Sequence, residues 1–180
     1  MNNNKIITRE AIFPLISYQT KNLTWTFALT LAAVIFPALL AHTPHNQWIT
    51  GTIVNAILFL AFWRVGIVNA VLVAVLPSSI ALMRGLLPAP MAVLIPYIIL
   101  SNIILVAAFY ALKKYPLAGM IVSSFAKFLF LFVITSHFIK IATPLLTMMH
   151  WPQLFTALAG GLIAVGIIKT SKKFNLGAQL

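Results

Sequence analysis

Three kinds of side chain in this sequence are able to do chemistry in an apolar setting: the cations Arg84 and Lys127, the histidines His42, His45, His137 and His150, and the amides Gln47 and Asn55. Nothing in the chain balances the cations. Glu10 is the only acidic residue, and there is no cysteine. Carboxylate pairs for acid–base catalysis, thiolate nucleophiles, thiolate metal sites and disulfides are therefore excluded. Arg84 stands in the stretch 77–96, which adds Gly85 and the prolines Pro77, Pro88, Pro90 and Pro96 to an otherwise apolar run. Irregular backbone of that kind inside a bilayer must be shielded by protein or line a polar cavity, which marks the stretch as the wall of a binding site. Lys127 lies roughly 15 Å along its apolar segment from Leu117, near the middle of a ~30 Å hydrocarbon core. A lysine there costs about 2.5 kcal/mol or more unless it is paired or reaches water. Four solutions are open to it: a hydroxyl or carbonyl partner such as Ser123 or Ser124, a neutral amine, a partner subunit, or an anionic ligand.

The elements that position these groups are read from hydropathy. With 62% hydrophobic residues, 7% charge and a mean hydropathy of +1.04, the chain is an integral membrane protein rather than a soluble domain. Its net charge of +11 would suggest nucleic acid in a soluble protein. Here the cations collect at the ends of apolar segments, where they report topology, and no nucleic-acid partner is expected. Six spans are predicted, at 25–41, 49–63, 67–86, 91–112, 117–139 and 153–168, with 140–152 as a mixed loop. The predicted fold class is thus an all-α integral membrane bundle of six transmembrane helices. Residues 1–23 read as an amphipathic segment on the cytoplasmic surface, 24–173 as the six-helix domain and 174–180 as a cytoplasmic tail. Lys5, Arg9, Lys21, Arg64, Lys113, Lys114, Lys169, Lys172 and Lys173 fall on the side of the termini, against Arg84 and Lys140 on the other. Both termini are therefore expected in the cytoplasm. That topology gathers all the histidines with Arg84, Lys140, Gln47 and Asn55 in the outer half. Interfacial loops also tolerate histidine for its near-neutrality at pH 7, so one histidine alone marks nothing.

Ala28 and Ala32 stand one helical turn apart on the first span, and Gly160, Gly161, Ala164 and Gly166 leave a smooth surface on the sixth. Small faces let helices approach closely in lipid; packing within the chain is expected for the sixth span, while a partner protein is possible for the first. The Ala28-xxx-Ala32 pattern, Thr50-Gly51-Thr52-Ile53-Val54-Asn55-Ala56 opening the second span, and Arg84-Gly85-Leu86-Leu87-Pro88-Ala89-Pro90 between the third and fourth resemble the substrate-binding S components of energy-coupling factor (ECF) transporters. The resemblance covers 24–173. It implies a prokaryotic cell-membrane protein that captures a small vitamin, cofactor or metal ion outside. The solute is then released inside together with a transmembrane coupling subunit and two ATPase subunits. By position, Ala28 and Ala32 would contact the coupling subunit. His42, His45, Gln47, Arg84, Asn102, Lys127, His137 and His150 would fall where the family binds its substrate.

The chain has no Gly-rich phosphate loop ending in Lys-Ser/Thr, so ATP hydrolysis would have to come from partners, and neither an enzymatic activity nor a resident cofactor is expected. Uncompensated cations in the outer half favour a substrate with a carboxylate or phosphate, held by charge-assisted hydrogen bonds. Calcium is disfavoured for want of carboxylates. A histidine-bound metal ion or an anionic metal chelate such as haem is the alternative. An enzyme embedded in the membrane would need a carboxylate pair, a cysteine or paired histidines on one span. A channel would need a polar path through the apolar inner half.

Overall fold

The computed structural model describes residues 9–40, 46–83, 89–139 and 142–177. Every element among them is helical: α1 (Arg9–Leu40), α2 (Asn46–Met83), a 3-10 turn (Ala89–Leu94), α3 (Ile95–Ala111), α4 (Pro116–His137), α5 (Thr143–Met149) and α6 (Trp151–Gly177). Prolines open α3, α4 and α5 in their first turns, where no intrahelical N–H bond is lost. Five segments are long and apolar enough to cross a membrane: Gln19–Leu40, Asn46–Ile80, Met91–Ala111, Pro116–His137 and Leu145–Ser171. The outer surface of the bundle is apolar as well. Phe27 and Leu31 of α1, Phe125 and Leu129 of α4, and Leu162 and Ile163 of α6 all point outward, as expected where lipid replaces water. The chain is a multi-pass membrane protein.

α2 is not one straight rod. Gly66 has φ 80° and ψ 177°, a conformation open in practice only to glycine. The stretches on either side of it run in opposite directions along α3. Phe62 meets Phe109 and Tyr110, at the end of α3, with ring centroids 5.4 and 5.8 Å apart. Ser79, Leu82 and Met83 instead line a groove with Ala92, Ile95, Pro96 and Ile99, at its beginning. A straight helix of this length would extend roughly 57 Å and carry Met83 far past the Phe109 end. Pro77 lies inside the second stretch, whereas the departure from helical angles is at Gly66.

α2, α3, α4 and α6 close into a ring, each packed on the next, and α1 lies against α2. Leu58, Phe59, Leu105, Val106, Phe109, Met120, Ala157 and Ala164 fill the ring on the side of the Phe109 end, where Phe59 stands edge-on to Phe109 at 4.8 Å. The expectation that 140–152 is a loop needs revising, since Thr143–Met149 forms α5 and α6 already begins at Trp151. Pro144 starts this helix instead of preventing it, and burial of Met149 anchors its end.

Candidate functional site

Each of the four ring helices contributes a polar side chain to one linked group at the centre of the bundle. Lys127 stands midway along α4 and is 3% exposed. Its Nζ donates to Asn55 Oδ1 of α2 at 2.7 Å and to Asn102 Oδ1 of α3 at 2.7 Å. Asn55 Nδ2 in turn donates to the Gly51 carbonyl at 2.8 Å and reaches Thr156 Oγ1 of α6 at 3.4 Å. Ser123 and Ser124 are not the lysine's partners: Nζ bonds to the two amides, while the serine hydroxyls donate to the Met120 carbonyl of their own helix at 3.1 and 2.8 Å. The distinction has a chemical consequence. Two amide oxygens solvate a cation but bring no negative charge, so a protonated Lys127 stays electrostatically uncompensated and has one further N–H to give.

Glycines set this geometry. A Cβ on Gly160 would stand 2.5 Å from the Thr52 carbonyl oxygen and 2.7 Å from the Ala56 nitrogen, so the backbone of α6 rests directly on α2. That close approach brings Thr156, one turn earlier, over Gly51, whose own Cβ would stand 3.1 Å from it. Gly161 turns the other way and accommodates Met120 of α4 and the ring of Phe59.

A second polar group surrounds the joint between α5 and α6. Gln47 Nε2 and Gln153 Nε2 both donate to the Met148 carbonyl, at 2.8 and 3.3 Å. His150 Nε2 lies 3.2 Å from Thr135 Oγ1 and 3.4 Å from Ser136 Oγ. Thr135 Oγ1 also donates to the Leu131 carbonyl at 2.8 Å, and Nε2 is the ring nitrogen that the two hydroxyls engage. Phe132 lies 4.7 Å from the imidazole, Phe128 stacks on Trp151 at 5.2 Å, and Phe155 links Trp151 to Trp48. Two helical turns along α4, roughly 12 Å, separate Thr135 from Lys127.

Of the residues singled out in the sequence, Lys127 and Asn102 are therefore in direct contact, and Gln47 and His150 share the α5–α6 end. His137 is apart from both groups: it sits exposed in the last turn of α4, with Nδ1 3.3 Å from its own helix's Val133 carbonyl. His42, His45 and Arg84 lie outside the described residues. Ala28 is exposed on α1, and Ala32 is half-buried against the core. Sequence reasoning placed Asn55 in the outer half without giving it to Lys127, and it passed over Thr156. An asparagine in an apolar span was the available signal for the first, while Thr156 had none. Among the described residues no three His, Cys, Asp or Glu side chains gather in a way that could hold a metal ion. No protein-family model, curated protein or solved structure matches the chain.

Proposed function

We propose that this chain is a solute-capture subunit of a membrane importer, of the S-component class of ECF transporters, which binds a small organic anion in the half of the bundle that holds α5. One observation carries the reading. Polar side chains enter the ring from that end, through Gln47, Thr156 and Asn55, and their linked hydrogen bonds end at Lys127 and Asn102; beyond them the hydroxyls of Ser123 and Ser124 are spent on their own helix, among Phe59, Leu105 and Phe109. A polar track that is reached from one end of the bundle and ends at a buried lysine suits capture better than conduction, the lysine being protonated when the anion binds. The ligand's carboxylate or phosphate would take the free N–H of Lys127.

In this reading the chain crosses the membrane six times, with the chain reversal at Gly66 dividing α2 into two spans. The end bearing Arg64, Lys113, Lys114 and Lys169 then faces the cytoplasm of a prokaryotic cell, together with both termini. Release inside depends on a coupling subunit docked on the α1 face that carries Ala28 and Ala32, and on two ATPases.

Native mass spectrometry of the protein purified in mild detergent tests the reading. A retained organic anion is expected in the wild type and its loss in Asn102→Asp, which keeps an oxygen beside Lys127 but neutralises the charge. Equal retention in both proteins would remove the electrostatic argument. The His150 imidazole, set against Phe132 with Nε2 toward Thr135, supports a second reading, in which the solute is a metal chelate such as haem. A Soret band in the purified protein that disappears in His150→Ala would favour it.

A further inference from the structure

The opposite end of the bundle carries cations that the capture of a solute does not use. The Arg64 guanidinium lies 4.8 Å above the Trp25 ring, bridging α2 to α1, and Lys113 Nζ lies 4.6 Å above the Tyr110 ring. Phe62, two residues before Arg64, stands edge-on to Tyr110 at 5.8 Å. Both cation–aromatic pairs are therefore tied to the same end of one helical stretch, just before the reversal at Gly66. Lys21, Lys114 and Lys169 are exposed at this end as well. The sequence offers these cations little to pair with, since Glu10 is the only acidic residue of the chain.

An aromatic face holds a long cationic side chain in place while its outward N–H groups remain free to donate. The surroundings select the acceptor. Trp25, Trp63, Tyr110 and Tyr115 are exposed at the same level, at 42, 37, 43 and 67%, which suits the headgroup layer of a bilayer. Leu23, Val68 and Leu117 point outward beside them and offer contact to acyl chains. We infer that the Arg64–Lys113 end of the bundle is a binding site for the phosphate of an anionic phospholipid. Arg64 grips the headgroup with its planar fork and Lys113 adds a point charge. A phospholipid satisfies both the cations and the apolar rim, whereas free phosphate satisfies only the cations.

The test uses the full chain in mild detergent, with phosphatidylglycerol, phosphatidylcholine, inorganic phosphate or soluble polyglutamate added at matched concentrations. Lipid retention is read by native mass spectrometry and stability by thermal denaturation. Phosphatidylglycerol is expected to be retained with a preference of roughly tenfold or more over phosphatidylcholine, as two interfacial cations imply, and to raise the melting temperature. Inorganic phosphate is expected to leave the melting temperature unchanged. Arg64→Gln combined with Lys113→Gln is expected to lose the preference while keeping the wild-type helical circular dichroism, and the exposed single change Lys113→Gln to reduce it. Equal retention of the two lipids by the wild type overturns the inference without recourse to any variant. So does a preference that survives in the double variant, or the same stabilisation by inorganic phosphate alone. Stabilisation by polyglutamate but not by phosphatidylglycerol would assign the patch to an acidic protein instead.

Discussion

Lys127 is acceptable in the bundle core because two amide oxygens reach it from two other helices, and those oxygens depend equally on the lysine. Lys127→Met deprives Asn55 Oδ1 and Asn102 Oδ1 of their donor while both remain buried. Loss of a partner to a buried polar group costs about 1–3 kcal/mol, so a clear drop in melting temperature in detergent is expected. Adding Asn55→Leu and Asn102→Leu to that variant should recover part of the loss, since the unsatisfied groups are then gone. A triple variant less stable than Lys127→Met would show that packing, not hydrogen bonding, dominates the site. Asn102→Asp probes the other side of the same residue. It should leave stability near or above that of the wild type and abolish anion capture, which separates the lysine's structural role from its charge.

At the level of elements, glycines govern how the helices meet. Gly160→Val would drive a side chain into the backbone of α2 at Thr52 and Ala56, and overpacking of this kind costs about 1–3 kcal/mol or more. A melting temperature unchanged by that substitution would mean that α6 does not rest on α2 as described. Gly66 is a different case. Nothing lies within 4 Å of a Cβ added there, so Gly66→Ala meets conformational strain alone, about 1–3 kcal/mol. Asn should not rescue it, because φ 80° with ψ 177° lies outside the left-handed helical region that Asn tolerates. The first helix supplies a contrast. Ala28 faces outward, so Ala28→Trp should stay within about 0.5 kcal/mol of wild-type stability. It should keep ligand retention and abolish uptake once coupling partners are present. Normal uptake by that variant would remove the proposed docking face.

For the whole molecule, the reversal at Gly66 makes a topological prediction. The chain contains no cysteine, so single cysteines can be introduced into an otherwise silent background. Ser136→Cys and Met83→Cys should react with an impermeant maleimide in intact cells, and Lys114→Cys and Thr170→Cys only after permeabilisation. Trp48→Cys, at the other end of α2, should be labelled in intact cells as Met83→Cys is; labelling of one of these two with protection of the other would mean that α2 crosses once and that the count of six crossings is wrong. The polar groups at the α5 end and the cations at the Arg64 end would then need a different assignment to the two sides.

The sequence by itself determines that this is a multi-pass membrane protein, because hydropathy and segment length need no partner to be read. It also isolates Lys127 as an anomaly and sorts the cations to one end, since the cost of charge in hydrocarbon depends on position along a segment alone. Short-range patterning did not reveal α5, whose leucines and methionines stand among a proline, a histidine and a lysine that suggested a loop. Nor did it pair Lys127 with Asn55 and Asn102, although a lysine without any available carboxylate had to be solvated by something. In a soluble helix an apolar stripe marks the face that turns inward. Here lipid and core are equally apolar, so the spans are hydrophobic all round and their rotation is not written in any local period. Rotation is decided by close approach at Gly160 and Gly161, by the reversal at Gly66 and by the need of buried amides and a lysine to find one another. Those contacts join residues far apart in the chain, and only the tertiary structure brings them together.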